Sequence, residues 1–225
     1  MERELTLIEI LESRNATYRL LSRLFRVEVD QEFYRELISL RFPAHTGDSD
    51  VDAGYRSICA YLNAPHPDVI TELAVDYVRT FIGHGNNGYS AAYPFESVYT
   101  SPRRLLMQGA RDDVLVIYRA AGVDKQDSWK DGEDHIALEL EFMQILGNRA
   151  LEALEAGDEG KAADILAQQR SFLEGHLLAW FPMMAADMEK FSKTKFYQGL
   201  ASLTAGFLRT DAEFLADVLY EEDAA

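Results

Sequence analysis

Residues 131–143 read Asp-Gly-Glu-Asp-His-Ile-Ala-Leu-Glu-Leu-Glu-Phe-Met, a polar turn that passes into an amphipathic helix. Asp131 or Asp134 is predicted to cap this helix, because a short carboxylate accepts hydrogen bonds from the N–H groups of a first turn. Apolar residues then recur one helical turn apart, at Ile136, Leu140 and Met143. Such a stripe is typical of a helix with one buried face. The stretch therefore predicts a central helix with an Asp134-His135 pair at its entrance.

Helical periodicity extends along the rest of the chain. Residues 6–25 begin with the Thr-x-x-Glu spacing of a capping box. Asp30 and Asp68 are predicted to cap the second and fourth helices, Ser101-Pro102 to open another, and Asp211 to cap a final turn. Because sustained strand alternation is absent, we expect an all-α fold, a single globular bundle of about nine or ten helices.

The length of 225 residues fits one all-helical domain covering 1–225. The polar loop 123–132 is a candidate hinge that would divide the bundle into two helical subdomains. A second irregular stretch, 83–101, is long and contains three glycines, and loops of that length inside a compact domain are often functional.

The totals restrict the classes of function. A net charge of −16 disfavours nucleic-acid binding, because a phosphate backbone would be repelled. The single cysteine, Cys59, excludes an internal disulfide and fits a reducing compartment. No apolar run approaches the roughly 18 residues that a membrane span needs, so we expect no stable membrane insertion. The N-terminus has no signal-peptide pattern, and a cytoplasmic location is expected.

Motifs for chemistry are weak. A di-iron bundle needs Glu-x-x-His on two helices, and that motif does not occur, so no metal is predicted. The Gly83–Gly88 stretch is glycine-rich, but no Gly-Lys-Ser/Thr follows, and it is either a nucleotide cradle or a flexible loop. Neither Cys59 nor Ser97 stands in a catalytic pattern, so no catalytic residue is predicted.

The Asp134-His135 pair has two interpretations on its own. Asp134 is either a helix cap or a binding carboxylate, and His135 is either a polar first-turn residue or a recognition group. Tyr77 and Phe81 are likewise either core residues or part of a binding surface.

Three blocks in fixed order resemble the TorD/DmsD family of chaperones for molybdenum-containing respiratory oxidoreductases, which is related to the nitrate-reductase delta-subunit assembly proteins. The blocks are Asp76–Gly83 (DYVRTFIG), Pro94–Tyr99 (PFESVY) and Glu133–Met143 (EDHIALELEFM). The resemblance spans about residues 70–180. In the family, an acidic-proline-acidic-Asp-His signature enters the central helix. Gly132 stands where that signature has proline, so a less rigid loop is expected here.

The resemblance implies an all-helical protein that is not an enzyme. It implies binding to the twin-arginine signal peptide and the apo form of a molybdoenzyme catalytic subunit, with export withheld until molybdopterin is inserted. It carries the binding role onto Asp134 and His135, and with them onto the residues of the other blocks, Asp76, Tyr77, Phe81, Glu96 and Tyr99. It also implies a monomer or a domain-swapped dimer. No cofactor is predicted, and GTP is left open by family likeness alone.

The chemistry of such a leader agrees with these residue types. Two arginines call for carboxylates, because a planar guanidinium pairs with a carboxylate in bidentate fashion, and Asp76 and Asp134 are the predicted partners. The apolar part of the leader calls for a hydrophobic groove, with Tyr77, Phe81 and Tyr99 as predicted walls. Two alternatives stay open: a GTP-dependent maturation factor and a permanent helical subunit of an oxidoreductase complex.

Overall fold

The computed structural model describes residues 5–83 and 90–223. In these residues the regular secondary structure is helical, apart from one isolated β-bridge. The helices of these residues are α1 Leu7–Arg26, α2 Gln31–Ser39, α3 Ser49–Leu62, α4 Val69–Tyr77, α5 Glu96–Thr100, α6 Gly109–Ala120, α7 Ile136–Glu155, α8 Glu159–Phe172, α9 Leu178–Phe191 and α10 Lys195–Asp223. A π-helical segment, Val78–Ile82, continues α4, and another, Leu173–Leu177, joins α8 to α9. The predicted all-α fold and its number of helices are confirmed for the described residues.

Side-chain caps set the first residue of several helices. The capping box of α1 is present: Thr6 Oγ1 accepts from the Glu9 N–H at 3.3 Å, and the Glu9 carboxylate accepts from the Thr6 N–H at 2.9 Å. Asp30 and Asp68 accept from N–H groups in the first turns of α2 and α4. Because the first N–H groups of a helix have no partner inside it, these acceptors fix where each helix begins.

Two predicted helix starts are wrong. Ser101-Pro102 does not open α6, which begins at Gly109. Between them Arg104 and Met107 have φ values of 52° and 57°, in the left-handed region that a right-handed helix cannot contain. Asp211 caps no final turn, because α10 runs unbroken through it and buries its side chain.

Helix α7 lies at the centre of the core. Its predicted stripe is fully buried, and α7 packs along both α1 and α8. Since α1 precedes the loop 123–132 and α7 follows it, the chain on the two sides of the loop shares one hydrophobic cluster. The subdomain boundary in this loop stays a prediction.

A buried ion pair connects four helices. Arg14 of α1 donates to both carboxylate oxygens of Asp211 in α10, and the Tyr18 hydroxyl donates to Oδ2 of the same carboxylate at 2.6 Å. Gln169 of α8 accepts from Arg14 at 3.3 Å and donates to the Met143 carbonyl of α7 at 2.6 Å. This network fixes α1, α7, α8 and α10 relative to one another, and with them the entrance of α7.

Candidate functional site

Two of the three sequence blocks meet in a short backbone pairing. The Glu96 N–H donates to the Asp134 carbonyl at 3.0 Å, and the Ile136 N–H donates to the Pro94 carbonyl at 3.0 Å. These bonds make the isolated antiparallel bridge between Phe95 and His135. The start of α5 is therefore held directly against the start of α7.

Asp134 is buried, and its carboxylate is used inside the protein. Oδ2 accepts from the Ser97 N–H at 2.9 Å and from the Ser97 hydroxyl. Oδ1 has no partner among the described residues and lies against Gly132, where a Cβ would stand 2.6 Å away. Burial raises the pKa of the Asp134 carboxyl above its usual value, although the Ser97 hydrogen bonds oppose the shift. Asp134 thus holds the first turn of α5, and glycine at 132 leaves room for it.

His135, and neither Asp131 nor Asp134, is the N-cap of α7, so the predicted cap is wrong. Its Nδ1 accepts from the Ala137 N–H at 3.1 Å, which puts the proton of the neutral ring on Nε2. The rings of Phe95 and Trp129 each pack edge-on, with centroids 5.0 Å from that of the imidazole. Burial, aided by the charge of Arg26, lowers the pKa of His135 to about 3. The ring is therefore neutral at pH 7.

An open groove of about 500 Å³ passes His135. Its wall is largely apolar and aromatic, made of Val27, Tyr77, Phe81, Ile82, Tyr93, Pro94 and Phe95. The Tyr77 and Phe81 rings pack edge to face at 5.0 Å, and the Tyr77 hydroxyl is anchored to the Phe25 carbonyl at 3.0 Å. The volume lies in the range of ordinary ligand sites, and the wall suits a hydrophobic segment.

Two carboxylates, Glu28 and Asp131, line the same groove. Neither has a hydrogen bond or an ion pair with another described side chain, whereas the neighbouring guanidinium of Arg26 is paired with Glu141. After burial, the charges of Glu28 and Asp131 are the main causes that raise the pKa of Tyr77 to about 12. The groove therefore combines an apolar wall with two available negative charges.

Asp76 lies away from the groove. Its carboxylate, 1% exposed, accepts from the backbone N–H groups of Lys193 at 2.9 Å and Thr194 at 2.7 Å. Arg79 pairs with it at 2.9 Å. Asp76 thus connects α4 to the start of α10.

Glu96 and Tyr99 lie on the inner side of α5. Glu96 Oε2 is 2.9 Å from His176 Nδ1, and the Tyr99 ring stacks on Trp180 at 5.6 Å. Trp180 Nε1 donates to Glu139 at 3.0 Å. Burial and the charge of Glu96 raise the pKa of Glu139 well above its usual value. This cluster joins α5, α7 and the α8–α9 region inside the core.

The loop 123–132 is pinned to the site at its end. The Glu133 carboxylate forms ion pairs with Arg111 Nε at 2.5 Å and with Lys125 Nζ at 3.0 Å. Burial alone would raise the pKa of Glu133, but these hydrogen bonds lower it below its usual value. Lys125 also donates to the Asp131 carbonyl at 2.7 Å, so the backbone at Asp131 is held at the rim of the groove.

The structure brings three of the seven predicted residues together at the groove: Tyr77, Phe81 and His135. Asp134 lies directly behind it, while Asp76, Glu96 and Tyr99 lie elsewhere. Glu28 carries no sequence signal, because it follows α1 in a short linker without periodicity, and the sequence pattern predicts Asp131 only as a cap. Their binding roles stay predictions.

The remaining expectations concern a nucleotide cradle, a membrane span and a metal site. Of the Gly83–Gly88 stretch only Gly83 is described, so the nucleotide-cradle prediction lies outside the described residues. Within residues 5–83 and 90–223, no helix combines the length and hydropathy of a bilayer span. In the same residues, no group of three or more His, Cys, Asp or Glu side chains is arranged to hold a metal ion.

Comparison with known proteins gives consistent matches. Residues 45–186 match the family described as nitrate reductase delta subunit. The chaperone protein TorD of Vibrio parahaemolyticus is 27% identical over 210 residues, covering 91% of this chain and 95% of that protein. The chaperone protein TorD of Photobacterium profundum is 30% identical over 148 residues, 66% of each chain. A solved structure from Archaeoglobus fulgidus, of a protein assigned to redox enzyme maturation, covers 96% of this chain and 98% of that chain, with 19% identity and a TM-score of 0.48.

Proposed function

The chain belongs to the nitrate reductase delta subunit family, which includes TorD-type chaperones, and from that premise we propose that it binds the twin-arginine signal peptide of a client redox enzyme. It is a maturation chaperone and not an enzyme. The client we propose is the apo catalytic subunit of a molybdenum oxidoreductase. Binding takes place in the cytoplasm, before export, and keeps the leader occupied until molybdopterin has been inserted.

The observation that carries this proposal is the groove in which an apolar wall meets two unpaired carboxylates. A twin-arginine leader offers two adjacent guanidinium groups followed by an apolar stretch. Glu28 and Asp131 supply the charge, and each can take a guanidinium in bidentate geometry. The wall containing Tyr77, Phe81 and Phe95 takes the apolar stretch, which gains free energy by leaving water.

His135 has a polar role at the same place. Because its ring is neutral at pH 7 and Nδ1 is engaged with Ala137, Nε2–H is the free donor of the side chain. We assign it to a backbone carbonyl of the bound leader. Asp134 is a positioning residue: through Ser97 it holds α5, and through α5 it holds Phe95 in the wall.

Charge also favours this encounter. The chain carries a net charge of −16, whereas the leader is basic at its arginine pair. Opposite net charges raise association rates, and the effect weakens as salt screens the charges. Binding of the leader should therefore slow at higher ionic strength.

Isothermal titration with a synthetic twin-arginine leader peptide tests the proposal. We expect binding to the wild-type protein, and a loss of about tenfold or more in affinity for each charged contact removed by Glu28→Gln or Asp131→Asn. Asp127→Asn is the matched control, because it removes an exposed charge from the same loop without touching the groove.

Three outcomes would count against the proposal in different ways. A leader in which both arginines are glutamine should bind far more weakly; equal binding would refute twin-arginine recognition. Wild-type affinity in both groove variants would refute the groove assignment. Binding of GTP with no binding of the peptide would favour the nucleotide-dependent alternative.

A further inference from the structure

A second open groove lies along α1, on a surface that the proposed function does not use. It has a volume of about 730 Å³, and it shares no lining residue with the groove beside His135, here called the leader groove. Helix α2 and the residues 40–43 after it form the facing wall. On α1 the lining follows one face of the helix for about 15 Å, nearly three turns: Ser13, Ala16, Thr17, Leu20 and Arg23. We call this second site the arginine groove.

The charge of the arginine groove is opposite to that of the whole chain. Arg19, Arg23 and Arg41 line it, and Glu36 is the one acidic residue in its described lining. The chain as a whole carries a net charge of −16. Arg19 and Arg41 are exposed, and neither has a hydrogen bond or an ion pair with another described residue. Two guanidinium groups are therefore available to a ligand.

The third arginine, Arg23, is held in place by the fold. Its guanidinium lies 4.1 Å from the centre of the Phe33 ring. The same group donates to the carbonyls of Val27 at 3.1 Å and Glu28 at 3.3 Å, and it pairs with Asp30 at 3.4 Å. Arg23 thus adds positive charge to one end of the groove while its hydrogen bonds are used within the chain.

Apolar side chains form much of the remaining wall. Leu40 is 46% exposed, and Leu20 and Phe42 are partly buried against the core. The Phe42 ring packs on Tyr55, with the two centroids 5.3 Å apart. Arginine and aromatic residues are enriched where proteins bind one another, because both combine a large contact area with a polar or charged group. The arginine groove therefore suits a ligand that is apolar on one side and negatively charged at its edges.

We propose that the arginine groove binds an acidic amphipathic helix of a partner protein. Carboxylates of that helix pair with Arg19 and Arg41, each in bidentate geometry. Its apolar face packs on Leu20, Leu40 and Phe42. The length of the groove along α1 matches about three turns of such a helix.

Charge separates this ligand from the leader. In the arginine groove the twin arginines of a leader would be repelled by Arg19 and Arg41. In the leader groove Glu28 and Asp131 attract them. The two grooves adjoin at the linker between α1 and α2, because Arg23 of the arginine groove donates to the backbone of Glu28. A basic segment and an acidic segment therefore have separate sites, and both sites can be occupied at once.

A single helix fits the arginine groove better than a broad anionic surface does. A membrane of anionic lipids would face the negative charge that surrounds the groove, and the net charge of −16 would repel it. A helix of about three turns contacts the groove alone, and salt screens its charges from more distant ones over about 8–10 Å.

Fluorescence anisotropy with two labelled peptides and the full chain tests the inference. Each peptide has about twelve residues with a stripe of Leu and Phe, and the flanking positions are Glu in one peptide and Gln in the other. A side-chain crosslink holds both helical, because isolated helices of this length are marginal in water. We expect the Glu peptide to bind the wild-type protein about tenfold or more tighter than the Gln peptide.

Three variants locate the binding. Arg19→Gln/Arg41→Gln should abolish the preference for the Glu peptide. Arg119→Gln/Lys161→Gln, which removes two positive charges from exposed positions on α6 and α8, should keep it. Leu40→Ser should weaken the Glu peptide by about threefold or more, because it removes exposed apolar surface from the wall.

Each other outcome overturns the inference. No binding of the Glu peptide, or equal affinity for the two peptides, excludes recognition by charge. A preference that survives Arg19→Gln/Arg41→Gln places the binding elsewhere. Phosphatidylglycerol vesicles that bind through the same two arginines, while the Glu peptide does not bind, would assign the groove to a lipid surface.

The result is independent of the proposed function. Glu28→Gln/Asp131→Asn, which removes the charges of the leader groove, should bind the Glu peptide at least as tightly as the wild type. Weaker binding in this variant would place the Glu peptide in the leader groove and refute a second site. Titration of the leader into Arg19→Gln/Arg41→Gln should in turn show at least the wild-type affinity, because that variant leaves the leader groove unchanged.

Discussion

Acid should destabilise the fold through His135. The pKa of this side chain is about 3 in the folded protein, compared with an ordinary value of 6.5. Between these two values the unfolded chain binds a proton that the folded chain does not. The contribution of His135 to the free energy of unfolding is therefore fully present above the pKa that the side chain has in the unfolded chain. It is lost progressively as the pH falls below that value.

The size of this loss follows from the two pKa values. From pH 7 to pH 5 the protonation of His135 in the unfolded chain lowers the free energy of unfolding by about 2 kcal/mol. The result changes little as long as the folded pKa stays below about 4, because the folded state then remains neutral over the whole interval. Such a loss is a large part of a typical domain stability of about 5–15 kcal/mol.

Urea unfolding, followed by far-UV circular dichroism at pH 7 and pH 5, measures this loss. The variant is His135→Asn, whose amide oxygen can replace Nδ1 as the N-cap acceptor for α7. All other titrating groups are common to both proteins, so the difference between their pH dependences isolates His135. We expect the variant to lose about 2 kcal/mol less than the wild type over this interval. Equal losses would refute the inference that the ring is buried and neutral.

Three further substitutions test the packing behind the groove, an unobstructed helix glycine as its control, and the core network. Gly132→Ala should lower the free energy of unfolding by about 1–3 kcal/mol, because its Cβ would stand 2.6 Å from Asp134 Oδ1. Gly160→Ala, which meets nothing within 4 Å and lies in α8, should instead stabilise by about 0.5–1 kcal/mol in urea unfolding. Asp211→Asn should cost about 3–5 kcal/mol in thermal unfolding, because it leaves the Arg14 charge buried without a counter-charge.

The matched control for the ion pair is Asp217→Asn, an exposed position on the same helix, which should change stability by less than about 0.5 kcal/mol. An Asp211→Asn protein as stable as this control would contradict the role of the buried pair. Wild-type stability in Gly132→Ala would show that the Asp134 carboxylate can move aside without loss.

Local hydrogen bonds explain which parts of the fold the sequence predicts. The caps at Thr6, Asp30 and Asp68 are bonds to N–H groups three residues away, so the sequence contains both partners. Asp211 has the same local pattern, but its partner is Arg14, 197 residues distant, and the helix continues through it. The start of α6 is missed for a related reason, since nothing in the order of residue types specifies positive φ at Arg104.

The resemblance predicts the candidate site residues, and the tertiary structure determines which of them lie at the groove. In the structure two of the blocks meet where α5 and α7 begin, and Tyr77, Phe81 and His135 line the same groove. The sequence does not show which of the acidic side chains are exposed to solvent and which are buried. Asp134 and Asp76 have the right chemistry for a guanidinium, but backbone N–H groups already occupy them.

The energetics of pairing separate the roles of the acidic groups. Asp134 is buried, so a guanidinium could reach its carboxylate only if the surrounding chain moved, and each hydrogen bond to Ser97 lost in that movement would cost about 1–3 kcal/mol. At Glu28 and Asp131 no such bond has to be broken, so the whole of the new interaction contributes to binding. In the proposed complex the stretch 131–135 therefore has two roles: Asp131 contacts the leader at the rim of the groove, while Asp134 and the backbone of His135 hold α5, α7 and the apolar wall in place. A buried carboxylate that is hydrogen-bonded within the protein stabilises the fold but is not available to a ligand, and the surrounding fold determines which carboxylates are buried.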